Sequence, residues 1–335
     1  MADMAKMDFR DRLIEEWQRD LPLTSRPFAV VAQALGVHES DVLAALQEFK
    51  SEGLINRVGG VVRPNTIGAS TLAALSAPDL DVGAVAAMLT CEPGINHVYL
   101  RENDWNLWFV VTGPDRAYVQ QVLQRVMART RLTVLDLALE TPYHIDLGFS
   151  LQPSRPGQPQ HYAPPTRACE SYTPAPHDRD LVQVLTSGLP LVAEPFKYIG
   201  AALGIPEAQI IERLTALVAQ GVIPRIGVIV RHRALGWRSN AMAVWDVPPE
   251  DIDRAGALLA KAPGVNLCYR RTRYASAWPF NLYCMVHART RDEALSCIVE
   301  AQSQAGIGRY PRQILFSLRC YKQTGAMVSH PREAA

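Results

Sequence analysis

The chain has 335 residues, 48% of them hydrophobic and 20% charged, with a formal net charge of +1. That length and composition fit several small domains, each with a modest core. Near-neutrality argues against a nucleic-acid binder, whose grip on phosphate comes from an excess of lysine and arginine. Residues 1–20, which mix Asp8, Arg10, Asp11, Arg12, Glu15 and Glu16 with apolar side chains, read as neither signal peptide nor membrane span.

The expected location is therefore the cytoplasm. Six cysteines (Cys91, Cys169, Cys268, Cys284, Cys297 and Cys320) form no CxxC pair and have no histidine at zinc-finger spacing, which predicts free thiols and no metal site of the protein's own.

In chain order, a first segment (8–68) opens with Phe9, Leu13 and Trp17 at helical spacing. A short helix over 28–35, a turn at Gly36 and a longer helix over 39–52, ended by Gly53, follow. This is helix-turn-helix punctuation, and the β-branched residues around Gly59 and Gly60 predict a wing hairpin. The next segment (69–150) predicts the strand-helix-strand-strand-helix-strand order of the ferredoxin-like split unit, over 69–145. A proline-rich stretch (151–177), carrying Pro153, Pro156, Pro159, Pro164, Pro165, Pro174 and Pro176, reads as an extended tether.

The order then repeats. Arg57 in LINRVGGVV recurs as Arg225 in VIPRIGVIV, and the same offset carries Leu13 to Leu181, Pro27 to Pro195, Gly36 to Gly204, Gly53 to Gly221 and Gly68 to Gly236 without a gap. A second winged helix-turn-helix (178–236), its wing around Gly227, precedes a second ferredoxin-like unit (237–328). That unit has predicted strands over 240–246, 265–272, 280–288 and 312–322, a helix opened by Pro248 and Pro249, and another over 291–304. The fold class is α+β, a tandem repeat of winged helix-turn-helix plus ferredoxin-like βαββαβ domain, and two whole copies read as a fused dimer. This architecture resembles the Lrp/AsnC regulators over nearly all of each half.

A DNA-binding regulator needs polar and basic side chains on its second helix. Here those helices read ESDVLAALQEFKSE and PEAQIIERLTALVAQ, each with one basic residue set against acidic ones. The expectation is a winged helix that binds no DNA.

The copies differ most on their two central strands, PGINHVYLRENDWNLWFVVTG and PGVNLCYRRTRYASAWPFNLYCMVHAR. Tyr99 pairs with Tyr269, Arg101 with Arg271, and Asn106-Leu107-Trp108 with Asn281-Leu282-Tyr283. The second copy has a longer hairpin holding Arg273, Tyr274, Trp278 and Pro279. Alternation puts Asn281, Tyr283, Met285 and His287 on one face and Leu282, Cys284 and Val286 on the other, which should meet the helices. Arg270 and Arg271 beside Tyr274 and Trp278 predict a site for a planar ligand bearing carboxylates, because guanidinium pairs bidentately with carboxylate and stacks on rings. His97 lies on the apolar series of its strand and reads as packing. His38, His161, His177 and His330, in a turn, the linker and the tail, carry no functional signal.

YRRTRYASAWPFNLYCMVHAR, HVYLRENDWNLWFVV and YHIDLGF together resemble the siroheme decarboxylases, Lrp-like proteins of haem d1 and alternative haem synthesis, with two subunit types fused in one chain. The resemblance implies removal of the carboxyl groups of the C12 and C18 acetates of siroheme as CO2, giving 12,18-didecarboxysiroheme. It implies no cofactor, since iron belongs to the substrate, and it implies a homodimer or an assembly with related decarboxylase subunits. The chain departs from the family's pattern at Glu102, Asn103 and Asp104, where a basic or imidazole side chain is expected. The main site is therefore expected around the second hairpin, with Tyr143 and His144 contributed by the other half or by a second chain.

Loss of CO2 from a pyrrole acetate leaves a carbanion-like methylene that an acid must quench, and histidine titrates in the right range. His144 or His287 is the expected acid, assisted by Tyr269 and Lys322; axial coordination of the substrate iron is the alternative role for either histidine. Arg101, Arg270, Arg271, Arg273, Trp278, Asn281, Tyr283, Tyr143 and Trp108 are the expected substrate contacts. The competing reading is a regulator or tetrapyrrole sensor with the same pocket and no turnover.

Overall fold

The computed structural model describes residues 8–145, 172–274 and 277–330. The first half runs α1 (Phe9–Glu16), α2 (Pro27–Leu35), α3 (Glu39–Ser51), β1 (Ile55–Val61), β2 (Ala69–Leu75), α4 (Val82–Cys91), β3 (Ile95–Arg101), β4 (Leu107–Gly113), α5 (Arg116–Thr130) and β5 (Val134–Ile145). The second repeats it as α6 (Asp178–Ser187), α7 (Pro195–Leu203), α8 (Glu207–Ala219), β6 (Arg225–Val230), β7 (Ser239–Trp245), α9 (Ile252–Leu259), β8 (Val265–Arg271), β9 (Leu282–Ala288), α10 (Arg291–Ala305) and β10 (Arg312–Gln323). Most of the tether lies outside the described residues, as do Cys169, His161 and the end of the YHIDLGF motif.

The turn between the paired helices is built alike in both halves. Pro27 and Pro195 open α2 and α7, where the missing N–H has no intrahelical acceptor to lose, and Gly36 and Gly204 end them at φ 74° and 70°.

The wings depart from the hairpin expectation. β1 and β6 are single strands that pair with each other across the halves, Gly59 opposite Gly227. Each is also held by the other half: Leu189 N–H donates to Val58 O at 2.7 Å, and Val228 N–H donates to Trp17 O at 2.8 Å. Glycine is required at the crossing, because a Cβ on Gly59 would stand 2.4 Å from Leu185 O and one on Gly227 2.4 Å from the Gln18 carbonyl carbon. The helices of both halves consequently share one core around Phe28, Leu46, Phe196 and Leu214.

The ferredoxin-like sheets also merge. Each half's last strand pairs with its own first strand and with the other half's second, so the eight strands close in the order β10-β3-β4-β2-β5-β8-β9-β7. Closure removes sheet edges and leaves an interior lined by alternate residues of every strand. α4 and α5 pack outside one sheet and α9 and α10 outside the other, over separate cores. Among the described residues no single helix is long and apolar enough to cross a membrane.

Candidate functional site

Strand alternation decides which side chains enter the barrel. On β9, Leu282, Cys284 and Val286 pack under the helices, while Tyr283, Met285 and His287 turn inward. Tyr269 and Arg271 on β8, Asn240 and Met242 on β7, Tyr99 and Arg101 on β3 and Trp108 on β4 join them. With Arg57 and Arg225 from the wing ribbon they enclose a cavity of about 340 Å³, bordered by Thr324, Met327 and Val328 beyond β10. Packed aromatics stand beside it: Trp108 meets Trp278 edge-on at 5.1 Å, and Trp278 Nε1 donates to Tyr283 Oη at 2.7 Å.

The charge of this wall is one-sided. Arg57, Arg63, Arg101, Arg225 and Arg271 line the cavity with His97, His232 and His287, and no carboxylate is among the described lining residues. Arg101, 4% exposed, donates through Nη1 to Leu315 O at 3.0 Å and lies 5.6 Å from the Tyr99 ring. Arg271 repeats the arrangement, with Nη1 3.0 Å from Leu137 O and its guanidinium 5.0 Å from the Tyr269 ring. Nε of Arg57, Arg101 and Arg271 is buried without a hydrogen-bond partner among the described residues. Burial brings Arg57 and Arg101 down to about 10, so both remain cations at neutral pH, and it also lowers Arg271. Burial also lifts the Tyr269 phenol to about 12 and raises those of Tyr99 and Tyr283. Burying an unpaired guanidinium costs several kcal/mol, which an anionic ligand in the cavity would offset.

The imidazoles are held neutral. His287 is 6% exposed, its ring 4.6 Å from that of His232, and burial together with the cations Arg101 and Arg233 depresses it well below the usual histidine range. His97 and His232 are brought down to about 4, again chiefly by burial. His287 Nδ1 lies 3.0 Å from Asn266 Oδ1 and Nε2 lies 2.6 Å from Asn240 Nδ2, so an amide side chain stands at each ring nitrogen. Among the described residues no cluster of His, Cys, Asp or Glu could hold a metal of the protein's own.

The sequence matches the AsnC-like ligand binding domain over residues 67–141 and 234–322, and the siroheme decarboxylase NirDL-like HTH domain over 10–55 and 178–223. It is 46% identical over 332 residues to the siroheme decarboxylase NirDL subunit of Paracoccus denitrificans (strain Pd 1222), covering 97% of this chain and 99% of that one. The chain belongs to the siroheme decarboxylase family. A crystal structure of the siroheme decarboxylase NirDL in co-complex with an iron-uroporphyrin III analogue superimposes with a TM-score of 0.65 at 26% identity, over 96% of this chain and 93% of that one. Half-length members exist too: the NirD subunit of Stutzerimonas stutzeri is 44% identical over 140 residues, 42% of this chain and 92% of its own.

Of the residues expected to serve a siroheme decarboxylase, the fold brings Arg101, Arg271, Tyr269, Tyr283, Trp108 and His287 together around the cavity. The others stand elsewhere, each for a visible reason. Arg270 Nε pairs with Glu140 at 2.6 Å on the outer surface, and Arg273 ties the hairpin down through Asp246 at 2.6 Å and Val247 O at 2.8 Å. Trp278 lies behind Trp108 and Tyr283 rather than in the wall. Asn281 turns from the mixed face to clamp Val247, accepting its N–H at 2.9 Å and donating to its carbonyl at 3.0 Å, as Asn106 clamps Ala77. Tyr143 and His144 do cross to the second half, on β5 beside β8, but Tyr143 Oη donates to Asp253 at 2.6 Å over α9, and His144 is not among the cavity's lining residues. Lys322 Nζ caps α4, 2.9 Å from Thr90 O and 3.1 Å from Glu92 O. Glu102 and Asn103, the departure from the family's pattern, brace the first hairpin against Arg291 at 2.7 Å and Gln313 at 2.8 Å.

His97 corrects the packing expectation. His97 faces the cavity in phase with Tyr99 and Arg101, its ring stacked 6.2 Å from Tyr99, while a register shift between Ile95 and His97 puts Ile95 with Val98 under the helices. His232, Asn240 and the wing arginines Arg57 and Arg225 are also unanticipated as lining residues. The repeat itself carries a signal for His232, since the first copy has Pro64 at that position.

Proposed function

We propose that this chain decarboxylates siroheme, removing the carboxyl groups of the C12 and C18 acetates inside the barrel cavity. The observation that carries this reading is a cavity lined by Arg57, Arg63, Arg101, Arg225 and Arg271 with no carboxylate among its described lining residues. Such a wall suits a polycarboxylate held away from water.

In each half-reaction the bond from methylene to carboxylate breaks, CO2 leaves, and the electron pair stays on the methylene and spreads into the tetrapyrrole. One proton then makes the methyl group, so no oxidant or reductant is consumed. Arg101 and Arg271, which cannot deprotonate, anchor carboxylates that stay. His287 delivers the proton. Its low affinity for protons in the arginine-rich wall means that an anionic substrate must arrive before it charges, because an opposite charge nearby raises an imidazole's pKa.

The second helix of each helix-turn-helix unit offers the regulator reading little free positive charge. Arg213, the one basic residue of α8, is held by Asp178 through contacts of 2.7 and 2.8 Å, and α3 carries Lys50 beside Glu48 and Glu52. The deciding experiment is anaerobic incubation with siroheme followed by mass spectrometry of the tetrapyrrole. Loss of two CO2 units supports the decarboxylase; unchanged siroheme bound with a Soret shift supports a sensor, or an enzyme that needs a related subunit.

A further inference from the structure

Asn266 determines which proton His287 carries. Its Oδ1 accepts the His287 backbone N–H at 3.0 Å, so that atom is an oxygen, and it lies 3.0 Å from Nδ1, which must be the protonated nitrogen. In the neutral ring Nε2 is then an acceptor, and Asn240 Nδ2 donates to it at 2.6 Å. The arrangement leaves Asn240 Oδ1 buried without a hydrogen-bond partner among the described residues, on a side chain only 3% exposed in the cavity wall.

Protonating His287 inverts this logic. An imidazolium donates from both nitrogens, so an amide N–H at Nε2 becomes repulsive. A half-turn of the Asn240 carboxamide presents Oδ1 to Nε2–H and carries Nδ2 to the place the orphaned oxygen held. The first half has no such device, because Ser70 and Thr112 pair at the register position that Asn240 and His287 share in the second.

We propose that Asn240 is a positioning residue whose carboxamide rotates when a substrate carboxylate reaches it, donating to that carboxylate from Nδ2 while its oxygen accepts from a protonated His287. This rests on the decarboxylase reading and gives the proton donor its trigger. The other groups facing His287 are the cations Arg101 and Arg233, which oppose an imidazolium, and His232, which burial holds neutral; none carries the negative charge that would favour one. The carboxylate and the Asn240 oxygen together do what they cannot.

The test is the pH dependence of kcat and KM for siroheme in the wild type, Asn240→Ala and Asn240→Asp, with Soret titrations to show that each variant is folded and binds. In the wild type kcat falls on the alkaline side as His287 loses its proton. Asn240→Ala removes the acceptor for Nε2–H and should move that limb to lower pH by roughly one to two units. Asn240→Asp places a carboxylate there and should move it to higher pH, while KM rises because the donor to substrate is lost. Opposite displacements carry the proposal; displacements in one direction, or a uniform fall in kcat without any, overturn it. Failure of the wild type to release CO2 would count against the decarboxylase reading alone. The charging of His287 that the rotation permits is then read from 15N spectra of histidine-labelled protein titrated with metal-free uroporphyrin, assigned with His287→Gln. Conversion of the Nδ1–H ring to an imidazolium in the wild type but not in Asn240→Ala supports the proposal, and identical spectra in both overturn it.

Discussion

Arg101 and Arg271 occupy equivalent positions in the two halves, and each reaches into the other half for its backbone acceptor: Arg101 to Leu315 O and Arg271 to Leu137 O, both at 3.0 Å. The pseudo-twofold of the barrel thus sets two guanidiniums into one interior. A separate half-chain would lack the strand that accepts either bond. This is a physical reason for the two copies to act as one unit.

Replacing either arginine by methionine separates binding from folding. Each substitution removes a buried cation with an unpartnered Nε but strands one backbone carbonyl, so the two effects on stability largely offset. We expect unfolding free energy to change by less than about 1 kcal/mol, while siroheme affinity falls tenfold or more because a buried carboxylate loses its counter-charge. Lysine should not rescue, since it lacks the planar fork. Denaturant melts of the apo-protein and Soret titrations measure the two quantities.

The buried imidazoles predict acid sensitivity. His97 and His232 titrate near 4 in the folded chain against 6.5 unexposed to these surroundings, so the unfolded state binds more protons between those values. Stability is complete above about pH 6.5 and is lost as pH falls towards 4, by on the order of 3 kcal/mol for each imidazole. Denaturant melts from pH 7 to pH 4.5 should show the loss, and His97→Gln should flatten the slope. A bound polycarboxylate should do the same, by letting the imidazoles charge in place.

Much of this was open to reading from the residues. Alternation over 281–287 is enough to separate Tyr283, Met285 and His287 from Leu282, Cys284 and Val286, and the repeat is enough to pair Arg101 with Arg271. Strand pairing between halves is not, because it depends on contacts far apart in sequence: Gly59 looks like a hairpin glycine until Gly227 lies opposite it. His97 stands two residues before Tyr99, so alternation places it with Tyr99 and Arg101; what misleads is Ile95, which a register shift before His97 moves to the opposite face. Arg270 and Arg273 share the chemistry of Arg271 but stand on the outer surface or at the hairpin base, where Glu140 and Asp246 engage them.

The ribbon crossing can be probed with single methyl groups. Gly59→Ala and Gly227→Ala each force a Cβ to within 2.4 Å of the other half's backbone and should cost more than about 2 kcal/mol, with loss of the shared helical core. Gly83→Ala is the control. It lies in the first turn of α4 with nothing within 4 Å of its Cβ position, and should be neutral or stabilising by about 0.5–1 kcal/mol. Thermal melts with intact far-ultraviolet spectra distinguish the three.

The segment after β10 forms part of the cavity wall and can be removed without touching the barrel. Thr324 N–H donates to Asn96 O at 2.8 Å, Met327 N–H to Thr112 Oγ1 at 2.9 Å, and Val328 is buried among the helices with its N–H on Gln183 Oε1 at 2.8 Å. Gly325 fits because a Cβ there would meet Thr186 O at 1.9 Å. A chain ending at Gln323 keeps every strand pair of the barrel, since β10 stops there, and should lose only about 2–3 kcal/mol through the exposed Val328 site and the freed carbonyls. With Thr324, Met327 and Val328 gone from the wall, water reaches Arg57 and His97, and each electrostatic contact to the substrate weakens in the higher dielectric. The expected result is a folded protein whose siroheme affinity and turnover both fall, with Gly325→Val reproducing the effect in a full-length chain; unchanged affinity in both would show that the tail closes nothing the substrate needs.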